Sequence, residues 1–411
     1  MGQAQFVCGG NAGMTALGTL GTGDLKRMLL DALVNGGTAQ SVSSITVSGG
    51  VGTITFGSDP TFYRGQIVQI AGITGGMTGA TGLNTHKRLA SKTSGTVFTF
   101  DATGVSDGTA TGTITAKIAA LGAHAGTPWQ EQFTGTNTTS LRAQVGNRLS
   151  LMVNDNANTN TGIVRGYRTM SAVTTGVGPF PTATQSDTNL KWPRPDPTTA
   201  GVDWVVWGDE KRFMALIPCY SSGYRIPCGF GDLPLTYKSA DAYHTYICGY
   251  GNTVGDDTVN PNGPTIASPN YGGSQSTDAY YSTALALARQ QNQTTDSLIA
   301  SIVGGFGAGS YNYQGGFIGS PPAAGTSSPI SGGIELAFID VLEYVSSSYW
   351  RRGRFPMLQS WNQPDFVNND KAVYAGVGDF GDVVIFAGDP QQGASGGIIL
   401  PLGDLDTVYA Q

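Results

Sequence analysis

Charge is what this chain has least of. Only 12% of its 411 residues are Asp, Glu, Lys or Arg, about half the share of an ordinary soluble domain. Reactive side chains are scarce as well. His86, His124 and His244 are the only histidines, too few and too scattered for an imidazole-based acid–base centre or metal cluster. Cys8, Cys219, Cys228 and Cys248 are four in number, but a long chain so poor in cysteine does not suggest a disulfide framework. They are predicted to be free thiols in apolar surroundings. No run of eighteen apolar residues occurs, so no membrane-spanning helix is predicted. The first thirty residues lack a basic segment followed by an apolar stretch, so no secretory signal is expected. Phe6 stands where myristoylation requires Ser or Thr. The net charge of −6, with basic residues dispersed, leaves no electrostatic footprint for nucleic acid.

Glycine is abundant instead, at 61 residues, about twice its usual share. Seventeen Tyr, sixteen Phe and six Trp supply the bulk for packed cores. At this length two or three domains are expected. A folded chain with so little charge must cover itself with Thr, Ser, Asn, Gln and Gly. Such a surface lacks the like-charge repulsion that keeps monomers apart, which favours permanent packing against neighbours. A stable secreted β-protein would share the composition.

The pattern along the chain predicts a mainly β fold: β-sandwich-like domains with an N-terminal arm and a short helix. Residues 1–40 read as arm and helix, 41–120 as a small Ig-like β-module, and 121–411 as a larger β-sandwich-like domain with long loops. The arm, residues 1–23, is expected to order on a partner or on the body of the protein. The helix spans Asp24–Val34, capped by Thr22 or Asp24 and stopped by Asn35-Gly36-Gly37. Leu25, Leu29 and Leu33 share a stripe with Met28. That stripe serves either the chain's own core or a plug into a neighbouring subunit.

Within the β-module, Ser44–Phe56 alternates about Gly49-Gly50 and reads as a hairpin. Gln66–Ile73, Thr96–Phe100 and Thr109–Ile118 follow as strands. Beyond it, Leu149–Val153, Phe213–Ile217 and Ile398–Leu400 read as short strands, and Val202–Trp207 and Val383–Phe386 as near-continuous apolar strands of a sandwich interior. Ala284–Gln293 has helix-forming composition, and Thr294–Val303 fits either state. Residues 304–333 form a long glycine–aromatic–proline loop of the kind that often binds partners. Tyr311, Tyr313 and Phe317 are its candidate contact residues. Arg351, Arg352 and Arg354 form a basic turn suited to a salt bridge or an interface.

No candidate for chemistry is well formed. Cys219, Cys228, His244 and Cys248 lack the close ligand pairs of a zinc knuckle. The Ser395 turn lacks the G-x-S-x-G spacing of a nucleophile elbow. Gly18–Gly23 has no preceding strand and no Gly-Lys-[Ser/Thr]. Asp155–Asn160 departs from the order of a calcium loop and reads as a polar hairpin tip. Asp203, Asp209, Glu210, Glu335, Asp340 and Glu343 include no pair that spacing selects as glycosidase carboxylates. Most Tyr and Trp within 192–250 and 306–361 are expected in the core. No catalytic residue, cofactor or metal is predicted.

From Trp129 onward, short phrases carry a resemblance. They are Trp129…Phe133-Thr134-Gly135-Thr136-Asn137, Asn147-Arg148-Leu149…Val153-Asn154-Asp155, Val164-Arg165-Gly166-Tyr167…Met170 and Gly176-Val177-Gly178-Pro179-Phe180-Pro181. Gly332-Gly333-Ile334-Glu335-Leu336 and Arg352-Gly353-Arg354…Pro356 extend the series. In these phrases the chain resembles a group of tailed-bacteriophage virion structural proteins, and residues 41–118 resemble small β-modules inserted in phage structural proteins. The resemblance implies an oligomeric, non-enzymatic part of the particle, assembled in the bacterial cytoplasm. Its partners would be copies of itself and other virion proteins, without nucleic acid or membrane. A tail-apparatus protein is the first expectation. A capsid-decorating protein and a receptor-binding tail protein touching host surface glycan are the alternatives. The lack of a visible sequence repeat counts against a trimeric β-helix depolymerase.

Overall fold

The computed structural model describes residues 3–156, 161–180, 190–197, 201–219, 224–236, 244–251, 284–288, 301–303, 315–318, 336–345, 348–360, 370–387 and 397–410. Its architecture is mainly β, as expected. The arm folds on the body of the chain: Gln5–Cys8 forms strand β1, with every residue buried. Residues Asp24–Leu30 form helix α1, extended by a π-turn over Asp31–Asn35. Leu25, Leu29 and Leu33 are fully buried in the chain's own core. Their stripe is therefore used within the chain rather than offered as a plug to a neighbour. The cap also differs from expectation. Gly23 is the N-cap and makes no side-chain cap bond. Distant Asp155 instead accepts from the Leu25 backbone N–H at 3.0 Å, satisfying a group that the helix leaves open.

The inserted β-module comprises β2 (Gln40–Ser48), β3 (Val51–Phe56), β4 (Ile67–Gly75), β5 (His86–Lys92), β6 (Val97–Asp101), β7 (Gly108–Thr109) and β8 (Thr111–Ile118). The β2–β3 hairpin turns at Gly49-Gly50, both with positive φ, as a two-residue primed turn requires. Pairing runs β3-β6-β5-β4-β8-β2 and returns from β2 to β3. The ring closes, so the module is a small antiparallel barrel rather than an open Ig-like pair of sheets. Closure follows from β2 and β5, each of which pairs with a different neighbour along its two halves. Ile45, Ile54, Phe56, Phe62, Ile70, Phe98 and Phe100 are among the buried side chains of this region. Gly72, at φ 84°, sits where β4 shifts register against β8, and a Cβ there would meet the Thr113 carbonyl oxygen at 2.0 Å.

The body begins with β9 (Gln130–Gly135), β10 (Thr138–Arg142), β11 (Ser150–Asn154), β12 (Thr161–Ala172), β13 (Thr175–Phe180) and β14 (Leu190–Pro193). It continues with β15 (Val205–Gly208), β16 (Arg212–Cys219), β17 (Tyr224–Asp232), β18 (Leu235–Thr236), β19 (Thr245–Gly251), β20 (Ala284–Leu287) and β21 (Ser301–Val303). A large sheet runs β1-β15-β16-β17-β19-β14-β12-β11-β10-β9. The helix predicted at Ala284–Gln293 is absent over 284–287: β20 pairs with β19 and β21. Helix propensity is a weak prior, and a sheet edge overrides it here.

A second body sheet contains β22 (Gly315–Ile318), β23 (Leu336–Val345), β24 (Ser348–Ser360), β25 (Val373–Tyr374), β26 (Val383–Ala387) and β27 (Gly397–Pro401). The predicted 304–333 loop thus contains a strand, β22, which pairs with β23. The arginine series lies on strand β24, not in a turn. Helix α2 (Leu405–Tyr409) ends the described chain, and its N-cap Asp404 accepts from the Asp406 and Thr407 backbone N–H groups. Two apolar layers result. One joins α1, the barrel interior and Leu141, Leu151, Phe213 and Phe230. The other lies between the large sheet and the second sheet, with Phe6, Trp207, Tyr246, Phe355, Phe386 and Tyr409.

Candidate functional site

Ten of the few charges are turned inward among the described residues. Arg194, Arg212, Arg225 and Arg352 are buried, together with Asp24, Asp155, Asp196, Asp209, Glu210 and Asp232. Burying a charge is tolerated only when it is paired and hydrogen-bonded, so each cluster fixes distant parts of the chain together.

The first cluster centres on Arg225 of β17. Its Nη1 donates to Asp370 Oδ1 at 2.7 Å, and its Nη2 donates to Asp203 Oδ1 at 2.9 Å. Lys371 Nζ lies 2.8 Å from Asp203 Oδ1 and 3.1 Å from Asp370 Oδ2. Two cations and two carboxylates balance. Burial opposes the Lys371 charge, but the Asp203 and Asp370 carboxylates outweigh it and hold the ammonium above its ordinary range. The same ammonium lies 5.2 Å from the centre of the Tyr63 ring, a cation–π contact between barrel and body.

The second cluster lies at the β15–β16 hairpin. Asp209 Oδ1 accepts from the backbone N–H groups of Lys211 and Arg212 at 2.7 and 2.9 Å. Burial pushes the Asp209 carboxyl up to about 6, against the opposing pull of Arg212. Arg212 Nη2 donates to Asp406 Oδ1 at 2.7 Å, and Lys211 also bonds Asp406. Helix α2 is thereby fastened to the large sheet. A third pair, Asp155 with Arg194, sits under the start of α1. The expected hairpin joins β11 to β12, with Asn156 exposed at its turn but Asp155 buried.

The remaining sequence candidates separate. Cys228 belongs to the first apolar layer and Cys248 to the second, so their thiols lie on opposite faces of one sheet and cannot share a metal. Cys8, Cys228 and Cys248 are buried. Among the described residues, no three His, Cys, Asp or Glu side chains gather as a metal site, and no helix is long and apolar enough to cross a membrane. Trp192, Trp204, Trp207 and Tyr246 are buried, so none forms an exposed stacking platform. Arg351 is exposed, Arg352 is buried, and Arg354 Nη1 donates to the Tyr409 carbonyl at 2.7 Å. The three arginines of the expected basic turn are therefore divided between surface and interior. Phe317 lies on β22, whereas Tyr311, Tyr313, Glu335 and the Ser395 turn fall outside the described residues.

Sequence reading missed the outer face of the barrel. Thr109, Thr46, Thr53, Thr99 and Ser91 stand opposite one another across five strands. Ser91 Oγ and Thr99 Oγ1 are 2.6 Å apart. The alternation of Thr and Ser with Ile, Val and Phe was visible, but the strand order that aligns them was not. The row is neutral and hydroxyl-bearing, with no charged member.

These features define a β-protein whose polar clusters join its own segments. No family model matches the chain, and no curated protein does. Among solved structures it is similar to the phage phi92 endosialidase, at 14% identity and a TM-score of 0.17. The similarity covers 61% of this chain and 39% of that one, so this chain spans well under half of that protein's length. Overlap this slight does not define a shared fold.

Proposed function

We propose that this chain is a structural component of a tailed-phage virion, working by permanent contact with copies of itself and with other virion proteins, in the tail apparatus. The observation that carries the reading is the disposition of charge. A chain already poor in ionised groups sets several of them in internal clusters and presents a hydroxyl-bearing face on the barrel. Such faces lack electrostatic repulsion between copies and need little desolvation to pack. The phage-like phrases from Trp129 to Pro356 support the same reading. Asp155, Asp203, Asp209, Asp370 and Asp406 are engaged in ion pairs, and Cys8, Cys228 and Cys248 are enclosed in apolar layers, which supports contact over turnover.

The test is the composition of purified particles. Peptides of this chain should be recovered from density-purified virions in a fixed ratio to the major capsid protein and should survive a high-salt wash. Their loss in that wash, or their absence from particles, contradicts the proposal.

A further inference from the structure

Beside the apolar layer that its interior shares with α1 and the large sheet, the barrel is attached to the body in two places of different character. Its two connections to the body run side by side, where the Gly37 N–H donates to the Ile118 carbonyl at 2.9 Å. Its other attachment is the loop from Pro60 to Gln66, which meets the N-terminal segment. There β1 pairs with β15 along one edge. The other edge of β1 is met by side-chain amides.

Three amides form that contact, and all are buried. Gln5 Nε2 donates to the Ala120 carbonyl at 2.9 Å, and its Oε1 accepts from the Ile67 N–H at 3.2 Å. Gln66 Nε2 donates to the Phe6 carbonyl at 3.2 Å and to Asn11 Oδ1 at 2.8 Å. Asn11 Nδ2 donates to the Thr61 carbonyl at 2.7 Å. Arg88 adds Nη bonds to the Gly65 and Ala4 carbonyls. These groups imitate a β-ladder without making one, and no barrel strand pairs with a body strand among the described residues. Water can replace amide partners, so these bonds can open at less cost than the apolar contacts of Val7 and Phe62 beside them.

We infer that residues 3–12 are a strap that holds the barrel in one orientation through Gln5, Asn11 and Gln66. When those contacts break, the barrel swings on the paired connections at Gly37 and Ile118. The inference does not depend on the virion reading.

The experiment uses the full chain with spin labels at V51C and V177C, two exposed positions, one on the barrel and one on the body. Pulsed electron-electron distances are compared for the otherwise unchanged chain, Gln5→Leu/Gln66→Leu, Asn11→Ser and Arg64→Ala. Hydrogen exchange is followed in parallel. The unchanged chain should give one narrow distance. The double variant should give a broad or doubled distribution, with about tenfold faster exchange at the Ile67 amide and unchanged protection at Ile54 and Phe98. Asn11→Ser should broaden the distribution less, and Arg64→Ala should leave it narrow. A narrow distance in the double variant overturns the strap. So does lost protection at Ile54 and Phe98, which would make the amides part of the barrel's own stability. Broadening in Arg64→Ala would assign the hold to the Arg64–Val373 contact instead.

Discussion

Arg225 and Asp370 are 145 positions apart in sequence and meet at 2.7 Å. The guanidinium is 1% exposed and the carboxylate 21% exposed, so the pair sits at the margin of the interior. It ties the start of the β25–β26 segment to the middle of the large sheet.

Removing one partner of such a pair strands the other. Asp370→Ala should cost about 3 kcal/mol of unfolding free energy, with Asp203 limiting the loss. Arg225→Met/Asp370→Leu should recover much of that cost, because apolar replacements leave no unpaired charge. Urea unfolding of the single and double variants measures both. A single variant as stable as the unchanged chain would show that the cluster contributes nothing.

Asp209 makes stability depend on pH in a direction opposite to the usual carboxylate. Its folded pKa, about 6, lies above its unfolded value near 3.8. The folded state therefore binds more protons between these values, and stability is lost as pH rises through about 6. The loss should approach about 3 kcal/mol by pH 8. Asp209→Asn should remove this dependence. Asp406, held below its ordinary range, acts the other way, and its contribution fades only below about pH 4. Urea titrations from pH 4.5 to 8 of the two proteins should diverge toward low pH, where the unchanged chain gains stability. Parallel pH curves would contradict the buried-carboxyl account.

Leu29 is fully buried in the layer under α1. Leu29→Ala should lower stability by about 2–5 kcal/mol without changing the mass of any assembly formed. Loss of assembly at full stability would return this stripe to the role of a plug.

The cysteines and chelators provide a further check. Cys8, Cys228 and Cys248 are enclosed, and burial raises the Cys8 and Cys248 thiols well above their ordinary range. They should react with a thiol reagent only after unfolding, and EDTA should leave the melting temperature unchanged. A melting shift with EDTA would reveal a metal that the described residues do not gather.

Local patterns were legible because their physics is local. The β2–β3 hairpin followed from Gly49-Gly50, and β16 and β26 from continuous apolar runs. Closure of the barrel was not legible, because it depends on β2 and β5 each serving two neighbours. Composition at Ala284–Leu287 favoured a helix, yet the edge of β19 was available and took a strand. The ion clusters were invisible for the same reason: Asp155 caps a helix 130 positions away, and Arg225 finds Asp370 only after both sheets are packed. The stripe Leu25–Leu29–Leu33 was recognised, but sequence left open which core it enters.

The proposed role rests on permanent assembly of this chain with copies of itself. Light scattering of the purified chain across a hundredfold dilution at physiological salt tests it most directly. The purified chain should give one mass, a fixed multiple of the single chain, that persists through the dilution. A monodisperse single chain at every concentration would contradict it.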